Sequence, residues 1–284
     1  MCTAIFIPDG SGYFGRNLDY EHDFGEQVVI TPRKYPFSFS NGEELKTHYA
    51  MIGMALPEGG YPLYFDATNE MGLSAAGLNF PQNAFYKNPS GGRNDLASFE
   101  VIPGILSVCK TVKEAKEFLS GRVITNAAFR EDLPPSPLHW LIADKEEAIT
   151  LEQTQEGLFV YDNPARVLTN NPPFPIMMQR LCDYMALSTD EPENRFCKDL
   201  ALEPYSKGMG ALGLPGDLSS ASRFIKACFL VQNSRFGVIG EENVHTFFHI
   251  LYAVFQQEGC IKTKQGFEKT RYSSCCDIKK GIYY

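Results

Sequence analysis

The sequence predicts an α+β fold built in layers. Two blocks of strand-like segments are separated and followed by segments of helical period, and no repeat, low-complexity tract or linker interrupts them. Helices placed in this order cover the outer faces of sheets.

The first strand block opens at residues 2–7, an apolar and partly β-branched run. Pro8-Asp9-Gly10-Ser11-Gly12 then marks a hairpin turn into Tyr13-Phe14-Gly15-Arg16-Asn17. Residues 27–31 form a further strand ended by Pro32, and 48–54 and 63–67 continue the pattern. Thr68-Asn69-Glu70-Met71-Gly72 is a turn before the strand at 73–78, whose Ala and Gly content implies close backbone approach. The period then changes. Residues 99–109 and 112–119 have helical spacing, with Thr111 placed as an N-cap between them. The segment 131–137, rich in proline, is a stiff loop that either lines a site or simply connects. A second strand block covers 138–143, 148–152, 158–161 and 166–168, with a turn at Asp144-Lys145. The prolines at 172–175 precede helices at 176–185, 220–232 and 244–256.

A chain of 284 residues, 44% hydrophobic and 21% charged, can bury a large core, and the missing linker favours one domain over 1–284. The formal charge of −8 and the absence of basic clusters exclude a nucleic-acid partner and favour solubility. The 8 cysteines form no CxxC pair and no Cys/His set with zinc spacing, so they read as reduced thiols, mostly in the core. The first residues lack a basic start followed by an apolar stretch, and no apolar run is long enough to span a bilayer. The expectation is a cytoplasmic protein.

Cys2 is the residue with the most chemistry. It directly follows Met1, and a small second residue favours removal of the initiator. The new terminus then carries a thiol and an α-amine of unperturbed pKa about 7.7–8.0, a nucleophile and a base in one residue. An amide-cleaving thiol also needs a lowered pKa, a held amine and donors for an oxyanion. Arg16 returns toward Cys2 across the hairpin and would favour the thiolate. Asp19 lies close enough to anchor the ammonium; alternatively, the Arg/Asp set is a solvated ion pair. Asn79 and Asn170 end strands, where a side-chain amide either donates to an oxyanion or shapes a turn. Arg223 begins an apolar helix against the helix dipole, which invites a functional explanation. His245 and His249 are four apart on one helix but lack the Glu of a zinc motif, and neither a serine-nucleophile elbow nor a phosphate-binding loop occurs.

Taken in order, M-C-T-A at the start, F-G-R-N-L-D at 14–19, N-E-M-G-L-S-A-A-G-L-N-F-P at 69–81, L-H-W at 138–140, L-T-N at 168–170 and G-L-P-G-D-L-S-S-A-S-R-F at 213–224 resemble the choloylglycine hydrolase family. This is the family of bile salt hydrolases and penicillin V acylases, which are N-terminal-nucleophile hydrolases. The resemblance runs through almost the whole chain. It implies a four-layer αββα sandwich of two antiparallel sheets. It carries the nucleophile to Cys2, the thiol-side arginine to Arg16 and the amine-holding carboxylate to Asp19. It places Asn79 and Asn170 at oxyanion and substrate positions and Arg223 near the thiolate. It further implies a homotetramer. Bile salt hydrolases read G-L-N-F-P around Asn79, as this chain does, whereas many penicillin V acylases carry an aromatic at that position. Family members usually continue past K-G-I-Y-Y at 280–284, so the chain is expected to end short of the family's C-terminus, with a sheet edge or subunit contact incomplete.

The expected activity is cleavage of glycine- or taurine-conjugated bile acids through a Cys2 thioester, requiring no metal or organic cofactor. The alternatives are hydrolysis of penicillin V or another N-acyl amide, and a catalytically silent binding protein, against which Cys2 argues. Leu18, Phe24, Tyr61, Phe65, Asn79, Leu138 and the segment 126–138 are the expected substrate contacts.

Overall fold

The computed structural model describes residues 1–284. In chain order the strands are β1 (Cys2–Ile7), β2 (Tyr13–Tyr20), β3 (Gln27–Thr31), β4 (Phe37–Ser38), β5 (Glu44–Leu45), β6 (Met51–Glu58), β7 (Tyr61–Asn69), β8 (Ser74–Asn79) and β9 (Asp95–Ala97). Helices α1 (Val101–Val108) and α2 (Val112–Leu119) follow, then β10 (Val123–Thr125), β11 (Leu138–Ala143), β12 (Ala148–Thr154), β13 (Gly157–Asp162) and β14 (Val167–Leu168). The last third holds α3 (Phe174–Arg180), α4 (Ser220–Asn233), α5 (Gly240–Tyr252), β15 (Ile261–Lys262), β16 (Phe267–Ser273), β17 (Cys276–Asp277) and β18 (Ile282–Tyr283).

Two seven-stranded antiparallel sheets dominate. One runs β14-β1-β2-β16-β15, with β17 pairing to β2 and to β18; the other runs β13-β12-β11-β8-β7-β6-β3. The sheets meet through β1, β2 and β8, while α4 and α5 pack on the first sheet and α1 on the second. The order is therefore helix, sheet, sheet, helix. Ala4, Phe14, Ala76, Leu78 and Leu141 belong to a core that extends to Phe224, Phe247 and Leu251 of α4 and α5. A second core packs Val101, Ile105, Leu106 and Val112 against Ala75, Trp140 and Ile142. Both cores remove apolar surface from water on both faces of each sheet, which explains why β1 and β8 read as near-continuous apolar or small-residue runs.

The turn at 8–12 folds as a hairpin loop, with Gly10 and Gly12 at φ 67° and 75°. It sets the register Cys2↔Leu18, Ala4↔Arg16 and Phe6↔Phe14. Directly opposed residues share a face, and successive residues alternate. Cys2, Arg16 and Leu18 therefore face the second sheet, while Thr3, Asn17 and Asp19 face the helices.

Several boundaries differ from the sequence expectation. The expected helix 244–256 spans Gly240–Tyr252, because its buried residues Val244, Phe247, Ile250 and Leu251 complete the helical face before Gln256 turns to pair with Thr270. The expected helix 176–185 is α3 followed by a 3-10 turn over Leu181–Tyr184. The strand expected at 48–54 is β6, at Met51–Glu58. The sequence reading placed no strand after residue 168, yet β16 lies beside β2 in the first sheet. Its inward positions are the polar Glu268 and Thr270, so it lacks the apolar alternation that identifies a strand.

Gly15 sits where the chain leaving β16 crosses β2. A Cβ there would lie 1.9 Å from the Ser274 carbonyl oxygen. Gly15→Ala forces those backbones apart and should cost about 1–3 kcal/mol. Thermal unfolding should show a lower Tm, by roughly 2–4 °C per kcal/mol. An unchanged Tm would show that the crossing yields without cost.

Candidate active site

The hairpin register brings Cys2 to the floor of a cavity between the sheets, where it is only 3% exposed. Its backbone N–H donates to Asn170 Oδ1 at 2.9 Å. The same oxygen accepts from Arg223 Nη2 at 2.8 Å, while Arg223 Nη1 donates to the Cys2 carbonyl at 2.5 Å and to Thr3 Oγ1 at 2.6 Å. Arg223 thus supports the Cys2 backbone from the helix side. It comes from the first turn of α4, whose N-cap Ser219 accepts from Ser222 N–H. Asn170 Nδ2 donates to the Asn79 carbonyl at 2.6 Å, and the Asn170 backbone N–H donates to Ser220 Oγ at 2.9 Å. One amide side chain therefore ties the Cys2 nitrogen to the end of β8.

Arg16 occupies the cavity side. Its Nη1 donates to the carbonyls of Phe65 at 3.0 Å and Gly77 at 2.5 Å, both on the second sheet. Its Nη2 has no hydrogen-bond partner within the protein. Burial disfavours the guanidinium, but Cys2, Tyr272, Asp66 and Asp19 more than offset this, and its pKa lies above the ordinary value. Asp66 is itself buried and accepts from Tyr272 at 2.6 Å and Tyr283 at 2.7 Å.

Asp19 points the other way, as alternation along β2 requires. Thr270 Oγ1 donates to its Oδ1 at 2.6 Å; its Oδ2 lies 4.0 Å from Arg223 and has no hydrogen-bond partner. Burial pushes the Asp19 carboxyl up, opposed by Arg223 and Thr270, and pushes the Arg223 guanidinium down, opposed by Asp19 and Cys2. The Met1 ammonium donates to the Asp19 carbonyl at 2.7 Å and also pairs with Glu268.

The cavity holds about 230 Å³, and 14 of its 22 lining residues are hydrophobic. Leu18, Phe24, Phe65 and Leu138 line it, as does the proline-rich loop from Leu133 to Pro137. Tyr20, Phe24 and Phe65 form an aromatic string with centroids 4.6 and 5.6 Å apart. Asn79 is on the wall beside Gly77, and no hydrogen bond of the protein occupies its side-chain amide. Tyr61 is the expected contact that does not line the cavity. It packs among Phe37, Phe99 and Phe129, the last two of which line the cavity themselves.

Sequence reasoning missed Thr270 and Glu268, the polar partners on β16, and the cavity residues Leu56, Phe99, Ile102 and Trp140, whereas Phe129 falls within the expected segment 126–138. In β16 the intervening Lys269, Arg271 and Ser273 are as polar as Glu268 and Thr270, so the segment carried no strand signal. The apolar lining carries no functional signal, since it looks like core. No group of three or more His, Cys, Asp or Glu side chains is assembled to hold a metal ion, and no helix is long and apolar enough to cross a membrane.

Comparison with known proteins places this geometry. Residues 2–284 match the linear amide C–N hydrolases of the choloylglycine hydrolase family. The chain is 49% identical over 285 residues to a bile salt hydrolase/transferase of Lactiplantibacillus plantarum, covering 100% of this chain and 88% of that one. It is 39% identical over 290 residues to a conjugated bile acid hydrolase of Lactobacillus gasseri, covering 100% and 92%. A crystal structure of a conjugated bile acid hydrolase variant from Clostridium perfringens superposes with TM-score 0.90 at 35% identity, covering 100% of this chain and 88% of that one. Penicillin V acylase from Agrobacterium tumefaciens shares the fold, with TM-score 0.79 at 19% identity and coverage of 100% and 81%. A thiol at the second position, a buried arginine beside it and the match across both sheets have one common account: the chain belongs to the choloylglycine hydrolase family of linear amide C–N hydrolases.

Proposed function

We propose that the protein hydrolyses the amide bond of glycine- or taurine-conjugated bile acids, with Cys2 as nucleophile. The observation that carries the reading is the meeting of Cys2 with the floor of an apolar cavity while its nitrogen is held by Asn170. The family performs this class of chemistry, and several relatives are named for conjugated bile acids.

Removal of Met1 converts the Cys2 nitrogen into an α-amine. Asn170 Oδ1 already accepts from that nitrogen, and Asp19, with one oxygen unpartnered, supplies the counter-charge. The thiolate attacks the amide carbon, and the carbonyl electrons move to oxygen. Asn79 donates to that oxyanion; Asn170, whose Nδ2 is engaged with the Asn79 carbonyl, fixes the donor's strand end and holds the amine. The ammonium gives its proton to the departing nitrogen, the C–N bond breaks, and a thioester remains. Water then attacks the thioester as the amine takes its proton, and the C–S bond breaks to release the acid. Arg16 stands beside the sulfur as a fixed cation. The apolar lining suits a large hydrophobic acyl group. Turnover of glycocholate, taurocholate and penicillin V in parallel tests the reading, and preference for penicillin V would replace it with the acylase activity.

We also place the enzyme in the cytoplasm as one domain and an oligomer, a tetramer by the family resemblance. Its 8 cysteines are all free. Met185, Phe196 and Tyr205, between α3 and α4, are each more than 80% exposed, and a second copy would shield such side chains from water. Light scattering should give about four times the chain mass at micromolar concentration, and a monomer would remove this reading.

Cys2→Ala should abolish turnover and keep the thermal midpoint. A form whose retained Met1 is verified by intact mass should be equally inactive, because its Cys2 nitrogen is an amide. Normal turnover by either protein would end the proposed mechanism.

Asn79→Ala should lower kcat on the order of 100- to 1000-fold, with a smaller change in KM, since the donor acts chiefly on the oxyanion. The kinetics should be normalised to Cys2 alkylation followed on the N-terminal peptide, because Cys182 and Cys260 are exposed and also react. An unchanged kcat with a lower Tm would make Asn79 a turn-forming residue only.

A further inference from the structure

His139 and Glu152 are fully buried, and the mechanism above uses neither. Side chains of this kind are rarely buried without partners. His139 Nε2 lies 2.9 Å from the Thr169 carbonyl, which only accepts, so Nε2 carries the hydrogen. Nδ1 lies 3.0 Å from Glu152 Oε1, and that oxygen also accepts from the Phe174 N–H at 3.0 Å. The imidazole stacks on Phe80 with centroids 4.2 Å apart and planes 6° apart.

The location of these contacts gives them meaning. Phe80 follows Asn79, and Thr169 precedes Asn170. One ring therefore touches the neighbour of each amide residue at the site. Across the same gap, Asn170 Nδ2 bonds the Asn79 carbonyl. A shift of the Thr169 peptide moves Asn170 and with it the acceptor of the Cys2 nitrogen. Glu152, fixed on β12, sets the plane of the ring.

We propose that His139, oriented by Glu152, is a positioning residue for the reaction: it locks the Phe80 and Thr169 segments so that Asn79 and Asn170 stand in register with Cys2. The inference rests on Cys2 being the nucleophile. Displacements of about 1 Å at reacting groups are enough to cost on the order of 100-fold in rate.

The test compares His139→Phe, His139→Gln and Glu152→Gln with the parent, each with Met1 removed as shown by mass. The phenyl ring keeps a flat face for Phe80 but has no donor. The glutamine amide retains a donor for the Thr169 carbonyl. Glu152→Gln keeps the shape and an oxygen for Phe174. Kinetics are normalised to alkylated Cys2, and Tm is measured on the same samples. His139→Phe should lose roughly 10- to 100-fold in kcat, with KM within about threefold, and His139→Gln should lose less. Glu152→Gln should lose about tenfold, and it carries the test alone if the His139 variants do not fold. A per-site kcat within about twofold of the parent in the folded variants, whatever their Tm, overturns the proposal. Equal losses in His139→Phe and His139→Gln overturn the carbonyl contact as its lever. A parent that cleaves none of the amide substrates is a different result, and counts against the proposed function itself.

Discussion

The pairing of β1 with β2 is the constraint on which the site depends. Cys2 opposes Leu18 and Ala4 opposes Arg16, so the thiol and guanidinium share one face of the sheet. A slip of one residue would turn Cys2 toward the helices and bring Thr3 to the cavity. Gly10 and Gly12 fix the hairpin from one end, and β16 fixes β2 from its other edge through Thr270 opposite Asp19. The same register sends Asp19 to the helix side, where Arg223 meets it. The sheet thus separates two charged environments by the thickness of a strand: Arg16 on the substrate side and Asp19 with Arg223 behind the Cys2 backbone.

Burying these charges is costly, and the structure offsets the cost with directed acceptors rather than with simple ion pairs. Arg16 Nη1 donates to two backbone carbonyls and the guanidinium has Asp66 among its neighbouring charges; Arg223 donates to two carbonyls, a hydroxyl and an amide oxygen. Replacing one member would leave its partners unsatisfied in a dry interior. The arrangement keeps fixed dipoles and charges around Cys2 in a medium of low polarity, where each acts more strongly than it would in water.

The apolar part of the cavity comes from distant segments. Phe24 and Phe65 meet at one side, Ile102 arrives from α1, and the stiff loop Leu133–Pro137 closes another. Strands supply the rest of the wall, Leu18 from β2, Phe65 from β7 and Trp140 from β11 among them, so only part of the cavity depends on loops and a helix. Loop changes can then reshape that part of the cavity without disturbing the register of Cys2.

Much of this was legible along the chain. The hairpin around 8–12, the strand blocks and the apolar helices followed from turn chemistry and period. Cys2, Arg16, Asp19, Asn79, Asn170 and Arg223 stood out because each combines a reactive or hydrogen-bonding group with a strand end, a hairpin or a helix start. The strand β16 did not stand out, because its inward residues are polar and are satisfied only by partners on β2 and at the N-terminus. Tyr61 and Phe65 could not be told apart, since both are aromatics on one strand and only packing decides which faces the cavity. The pairing of His139 with Glu152 spans two strands, and its contacts reach two further segments. Period and turn preference act over a few residues, and they therefore reveal which groups are available and the local geometry that presents them. Which of those groups meet depends on burial and hydrogen bonding across the sheets, which join residues more than 200 positions apart, as Arg223 and Cys2 show.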